Sequence, residues 1–318
     1  MKNTWHVDVY YAKAWNARCI VIERLFETWE SNFIQLANYL NELVSTNPDT
    51  IVVFENGPEI EEGFETFKFV FWAFGPAIKA YKRPMPIICI DGTHLKVDEE
   101  INESWVWFLK MLQENVVGNG KLCVISDRNP GILHAMGAQT YGWEHRYCLC
   151  HIRSNLLSKY TKVKLLKHLC CTVGSTTNQI LYKNSLRAIK QASIEAWKYL
   201  HDADLGKWTV YRDNERSRWG NTTTNIAESL NNGLRHARMM PIKACIEYTF
   251  DYPRQNFYNQ SRDARQCNSP LSKNMFNIFN ERTKELKDTN QHVITNNKVC
   301  SRFNQLIKEV VKVAPITL

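Results

Sequence analysis

Two apolar runs of strand length, MPIICI (85–90) and KLCVIS (121–126), each end in an aspartate, Asp91 and Asp127. Between them lies ESWVWFLKMLQENV, where Trp105, Phe108, Leu109 and Leu112 recur at helical spacing. Unbroken apolar strands are buried on both faces, the habit of parallel strands, and strand, helix, strand then makes a right-handed crossover. Neighbouring parallel strands lie about 4.8 Å apart, so carboxylates at their carboxyl ends can share divalent cations. Taken singly, Asp91 in DGTH and Asp127 in SDRNPG also read as turn and cap residues.

Around this unit the chain is mostly helix-like. Over residues 12–44, Ala14, Ala17, Ile20, Val21 and Leu25, then Phe33, Leu36, Leu40 and Leu43, recur every three or four positions, and TNPDT stops the second helix. IVVF (51–54) is a strand candidate, while the aromatic-rich stretch 64–82 has no clear assignment. NPGILHAMGAQTYG reads as a helix from near Pro130, EHRYCLC as a third strand, and the chain to about residue 202 as helices. In GNTTTNIAESLNNGLRHA, Thr224 or Asn225 can cap a helix, with Glu228 reaching back as in a capping box.

Lys and Arg outnumber Asp and Glu by 40 to 32, and the net charge of +8 biases partners toward polyanions, nucleic acid first. Arg146 lies in the third strand, Arg153, Lys159, Lys162, Lys164 and Lys167 follow it, and Arg212, Arg216, Arg218, Arg235 and Arg238 bracket the Glu228 helix. Several of the ten cysteines sit in apolar runs, so no disulfide framework is implied. No signal peptide or membrane span stands out, and a soluble intracellular chain is expected. Cys148 and His151, at C-x-x-H spacing, could supply half of a zinc site, with His168 and Cys171 the nearest second pair.

IICIDGTHLK, SWVWFL, VISDRNPGILHAM, EHRYCLCHIRSNL and TTNIAESLNNGLRHARMMPIKACIEY, taken in order, resemble the motifs of plant Mutator-like element (MULE, MuDR-type) transposases. With its lead-in, the resemblance runs from about residue 11 to about 262. It implies an α/β, RNase H-like core with an α-helical insertion and an N-terminal helical region. It also implies a DDE triad on Asp91, Asp127 and Glu228 that holds Mg²⁺ or Mn²⁺ for DNA strand cleavage and transfer. Glu144 is a competing third acid. His94, Arg128, Arg146, Arg153, Arg235 and Arg238 are the expected DNA contacts, the partner being DNA in the nucleus, with homo-oligomerisation left open. The expected divisions are a lead-in (1–84), a core (85–160), a helical insertion (161–222), a returning helix (223–262) and a polar tail (263–318).

The sequence also departs from that family. An RNase H-like core passes through two antiparallel strands after its first Asp, yet only GTHLKVDEEIN, eleven residues from Gly92 to Asn102, precedes the next helix. Two strands are therefore expected to be absent, leaving an apolar edge at IICI that IVVF could shield. The family's N-terminal DNA-binding region and its C-terminal Cys/His knuckle are expected to be absent too, since the tail offers only Cys267, Cys300 and His292. A weak or inactive copy is the expectation; the alternative is a non-catalytic DNA-binding or interaction factor in which the three acids are structural.

Overall fold

The computed structural model of the chain describes residues 10–61, 64–81, 86–92, 102–138, 142–160, 165–213, 218 and 221–266, with isolated positions at 276, 277, 280 and 283. Among the described residues the fold is mixed α/β and mostly helical, with two small sheets. No helix among the described residues is long and apolar enough to cross a membrane.

The first two helices, α1 (Tyr11–Phe26) and α2 (Trp29–Thr46), follow the two periodic stripes. The Thr28 hydroxyl caps α2 by accepting from the Ser31 amide at 3.2 Å. The stripes fare differently: Leu36, Leu40 and Leu43 are buried, whereas α1 buries no residue and Leu25 is 69% exposed. The strand candidate IVVF becomes the start of β1 (Ile51–Glu61), which pairs antiparallel with β2 (Phe64–Ala73). The aromatic stretch without an assignment is thus β2 followed by α3 (Gly75–Tyr81). Local periodicity could not reveal it, because what holds β2 as a strand is its pairing with β1.

The second sheet has the order β3 (Ile87–Ile90), β4 (Cys123–Ser126), β5 (Glu144–Tyr147), all parallel. The crossovers are α4 (Asn102–Leu112), continued by a π-helical turn over Gln113–Val117, and α5 (Pro130–Ala138). Strand alternation sorts the residues cleanly. Ile88, Ile90 and Val124 join Leu109, Leu112, Ile132 and Ala135 of α4 and α5 in one cluster. Ile87, Cys89, Cys123 and Ile125 face the other way, with Cys148. The helices approach so closely at Gly131 that a β-carbon there would lie 2.6 Å from Trp105 Cδ1. The β1–β2 ribbon packs its aromatics on α4, Phe69 on Trp107 and Phe71 on Phe108. IVVF therefore pairs with β2 and is no fourth strand beside β3. Most of the stretch expected to lack two strands, residues 93–101, lies outside the described residues.

After β5 come α6 (Leu149–Lys159), α7 (Leu166–Ser175), α8 (Gln179–Ala192), α9 (Ile194–Asp202) and α10 (Leu205–Trp208). They enclose their own core of Ile152, Leu156, Leu166, Val173, Ile189, Leu200 and Trp208. A buried ionic group ties the end of this helical part to β5. Asp213 accepts from Arg146 at 3.1 Å and pairs with Arg218 at 3.4 Å, while Arg146 also reaches Glu144 at 2.6 Å. The chain then returns through α11 (Asn225–Gly233) to α12 (Ile242–Arg265), whose Ile246 packs among Leu36, Leu40 and Leu43 of α2. By contacts the chain divides into two units at Phe250/Asp251. Close to that division Pro253 interrupts the hydrogen-bond ladder of α12, since proline has no amide proton.

One core group carries a pH signature. His145, on β5, is 7% exposed and its Nε2 lies 2.8 Å from the Ser126 hydroxyl. Burial, assisted by the charges of Lys207 and Arg146, pushes its pKa down to about 4. A depressed histidine contributes stability that is full above its unfolded pKa of about 6.5 and lost as pH falls through its folded value, on the order of 3 kcal/mol here. The melting temperature is therefore expected to drop on acidification from about pH 7 to 4.5, less steeply in His145→Gln. Equal slopes in the two proteins would assign the acid sensitivity elsewhere.

Candidate functional site

The register Cys89↔Ile125 and Ile90↔Ser126 brings Asp91 and Asp127 to the carboxyl ends of neighbouring strands, each one residue beyond the last pair. Asp91 Oδ2 accepts from the Asn231 side-chain amide at 2.7 Å, and that amide is also 3.3 Å from the Asp91 carbonyl. Asp127 Oδ1 accepts from the Asn129 amide at 3.1 Å, and Asn129 Oδ1 from Gly131 at 2.8 Å, two nested turns that launch α5. Asp127 is thus turn punctuation through one oxygen only. Among the described residues, neither Asp91 Oδ1 nor Asp127 Oδ2 has a protein hydrogen-bond partner.

The lead-in to α11 is laid across these strand ends. Thr222 accepts from the Leu149 amide at 2.8 Å, Thr223 from the Cys89 thiol at 3.7 Å, and the Thr224 amide donates to Cys148 Sγ at 3.3 Å. The segment therefore touches β3 and the start of α6, directly after β5, before the helix begins. The cap is Thr224, which puts Glu228 at the fourth helical position, beyond the third position that a capping box requires. Here the Thr224 hydroxyl donates its one proton instead, within reach of Glu228 Oε1 at 2.9 Å and Cys148 Sγ at 3.2 Å. Asn231, three residues on from Glu228, lies on the same helix face and holds Asp91.

Glu228 is the third member of a group of which the sequence showed two, Cys148 and His151. Ligand atoms of Cys148, His151 and Glu228 all lie within 4.8 Å of one another. His151 Nδ1 is 3.7 Å from Glu228 Oε1, and Cys148 is fully buried. Burial pushes the Cys148 thiol up, but His151 and Thr224 together more than offset it, and the net shift is downward. Close approach of Cys148 raises His151 to about 9, opposed by burial and helped by the charges of Glu228 and Asp127. Asp127 is thus near enough for His151 to feel its charge. The three carboxylates of Asp91, Asp127 and Glu228 do not themselves form such a tight group. Oxygens around two cations about 3.5–4 Å apart need not lie within one ligand-to-ligand distance. Oxygen donors at Asp91 Oδ1, Asp127 Oδ2 and Glu228 Oε2 suit a hard cation of the Mg²⁺ class.

The basic residues divide by burial. Arg146 is 8% exposed and Arg218 1%, both engaged by Asp213, so burial keeps them from any surface phosphate. Arg128 hydrogen-bonds the Tyr199 hydroxyl and stacks 5.2 Å from its ring, with Lys159 over the same ring at 4.8 Å. Arg153 reaches Cys171 Sγ at 3.5 Å and Cys150 Sγ at 3.9 Å. Arg238 donates to the Asn231 carbonyl at 2.8 Å, bracing the end of α11. Lys159, Lys167, Arg212 and Arg235 are exposed. His168 is exposed and Cys171 is engaged by Arg153, so this pair does not join Cys148 and His151. Glu144 is committed to Arg146. His94, Lys162, Lys164, Arg216, Cys267, His292 and Cys300 lie outside the described residues.

Sequence reasoning missed Asn231, and it gave Thr224 as a cap candidate without its hydroxyl contacts to Glu228 and Cys148. The pattern T-x-x-x-E-x-x-N in TNIAESLN carries the signal, because those positions fall on one helix face. No curated protein matches the chain. Residues 92–155 match the family described as the MULE transposase domain, a stretch running from the residue after Asp91 through β4, Asp127 and β5 into α6. Over that stretch the chain is similar to this domain.

Proposed function

We propose that this is a MULE transposase-derived DNA-binding protein with an RNase H-like core, in which Asp91 and Asp127, with Glu228 as third acid, hold Mg²⁺ for phosphodiester cleavage and strand transfer. The observation that carries the reading is the in-register placement of Asp91 and Asp127 at adjacent strand ends, under the helix that brings Glu228. Divalent cations held by these acids would supply an activated water or 3′-hydroxyl and a stabilised leaving oxygen. The chain's own residues position: Asn231 fixes the Asp91 carboxylate, and the Asn129 turn fixes that of Asp127. Exposed Lys159, Lys167, Arg212 and Arg235 suit a phosphate backbone read without regard to sequence. Nuclear residence goes with this reading.

Cleavage is weak in this reading, since Glu228 Oε1 is engaged by Thr224 and near His151. That same observation favours the second reading, a non-catalytic DNA-binding factor. Supercoiled plasmid incubated with Mg²⁺ or Mn²⁺ separates the two: slow relaxation by wild type, absent in Asp127→Asn, supports the enzyme. Relaxation equal in both proteins removes Asp127 from the chemistry. No relaxation by wild type, with DNA still bound, selects the second reading. In either case duplex affinity is expected to fall about a hundredfold between 50 and 200 mM salt if about four phosphates are contacted. Salt-independent binding would remove the phosphate-contact reading.

A further inference from the structure

We infer that Cys148, His151 and Glu228 form a transition-metal site of the Zn²⁺ class, separate in chemistry from the hard-cation pair at Asp91 and Asp127. Three features converge on it. Cys148, the cap of α6, and His151 in its first turn share one helix face, while Glu228 is brought by α11, whose lead-in is bonded to Cys148 itself. His151 Nδ1 is buried and has no hydrogen-bond partner among the described residues, although the Glu228 carboxylate faces it at 3.7 Å. That spacing is too long for a hydrogen bond but near the edge of about 3.3 Å expected between tetrahedral ligands with metal bonds of about 2.0–2.1 Å.

The donor set gives selectivity. Thiolate, imidazole and carboxylate together favour a borderline cation such as Zn²⁺ or Co²⁺ over Mg²⁺, which prefers oxygen alone. Two anionic ligands and a neutral imidazole balance a dication without leaving buried net charge. Three protein ligands leave a fourth tetrahedral position for water. Such an ion would fasten the start of α6, directly after β5, to the first turn of α11. It would thereby hold Glu228 and Asn231 over the strand ends. Glu228 Oε1 then belongs to this ion and Oε2 stays free.

The test is Co²⁺ titration of the purified full chain. One equivalent is expected to produce a thiolate-to-cobalt charge-transfer band with the visible bands of tetrahedral Co²⁺, both erased by added Zn²⁺. Cys148→Ser, which keeps a group for Thr224 to bond, should lose the charge-transfer band. Glu228→Gln should weaken binding tenfold or more, and Cys150→Ser should leave the spectrum intact. Absence of the band in wild type overturns the inference, as does a band that survives in Cys148→Ser. Asp91→Asn is expected to retain the full Co²⁺ spectrum, so a failure of the hard-cation reading stays distinguishable from a failure of this one. Circular dichroism of each variant confirms that a lost band reflects a lost ligand; if Cys148→Ser is misfolded, the His151→Ala spectrum decides, an unchanged one again overturning the inference.

Discussion

Asp213→Ala is expected to destabilise the protein by about 3–5 kcal/mol, the usual result of removing one partner from a buried ionic group. The carboxylate is 3% exposed and serves two guanidiniums, Arg146 at 3.1 Å and Arg218 at 3.4 Å. Arg218 depends on it more. Its side chain is 2% exposed, burial pushes its pKa down to about 10, and Asp213 supplies the charge that opposes the shift. Without Asp213, Arg218 keeps, among the described residues, the carbonyls of Trp208 and Lys207, whereas Arg146 keeps Glu144. At about 2–4 °C per kcal/mol for a body of this size, the midpoint of thermal unfolding should fall by roughly 6–20 °C. Asp213→Asn, which preserves shape and one acceptor, should fall between. The ionic origin has its own test. Adding Arg218→Met to Asp213→Ala removes the stranded charge and should restore part of the loss, a coupling that a double-mutant cycle measures directly. A loss under about 1 kcal/mol in Asp213→Ala would mean that water reaches both guanidiniums and that the group is not a buried tie.

How much of this was readable in the sequence depended on how local the deciding physics is. β3 and β4 were legible because MPIICI and KLCVIS are apolar on both faces, and the aspartates that end them stand where the strands stop. α2 was legible because its stripe finds a core; the equally periodic stripe of α1 found none, since periodicity records what a helix could bury and not whether anything meets it. Arg146 in EHRY looked like part of a basic cluster with Arg153 and Lys159. Its role was set by Asp213, 67 residues later, and no window on the sequence spans that pairing. Cys148 and His151 showed two members of a three-residue group, and the third came from Glu228, which a cap one residue earlier than a capping box needs had turned from its own backbone toward Cys148 and His151.

Mg²⁺ or Mn²⁺ at about one hundred times its dissociation constant should stabilise the wild-type protein by about 2.7 kcal/mol, and Asp91→Asn should abolish that gain. For a body of this size the wild-type shift is on the order of 5–10 °C, large enough to separate cleanly from salt effects measured with Na⁺ at equal ionic strength. The substitution is informative because of Asn231. Its amide donates to Asp91 Oδ2 at 2.7 Å, and the amide oxygen of an asparagine at position 91 can accept the same bond. The local structure is therefore kept while the charge that would attract a hard cation is lost. Without added metal, Asp91→Asn should melt at or slightly above wild type, because one of the like charges gathered at the strand ends has gone. An equal metal response in the two proteins would place the cation elsewhere. No response in either would leave Asp91 and Asp127 as strand-end and turn residues and favour the DNA-binding factor. A response that Asp91→Asn loses and Cys148→Ser keeps would place the hard cation at Asp91 independently of Cys148.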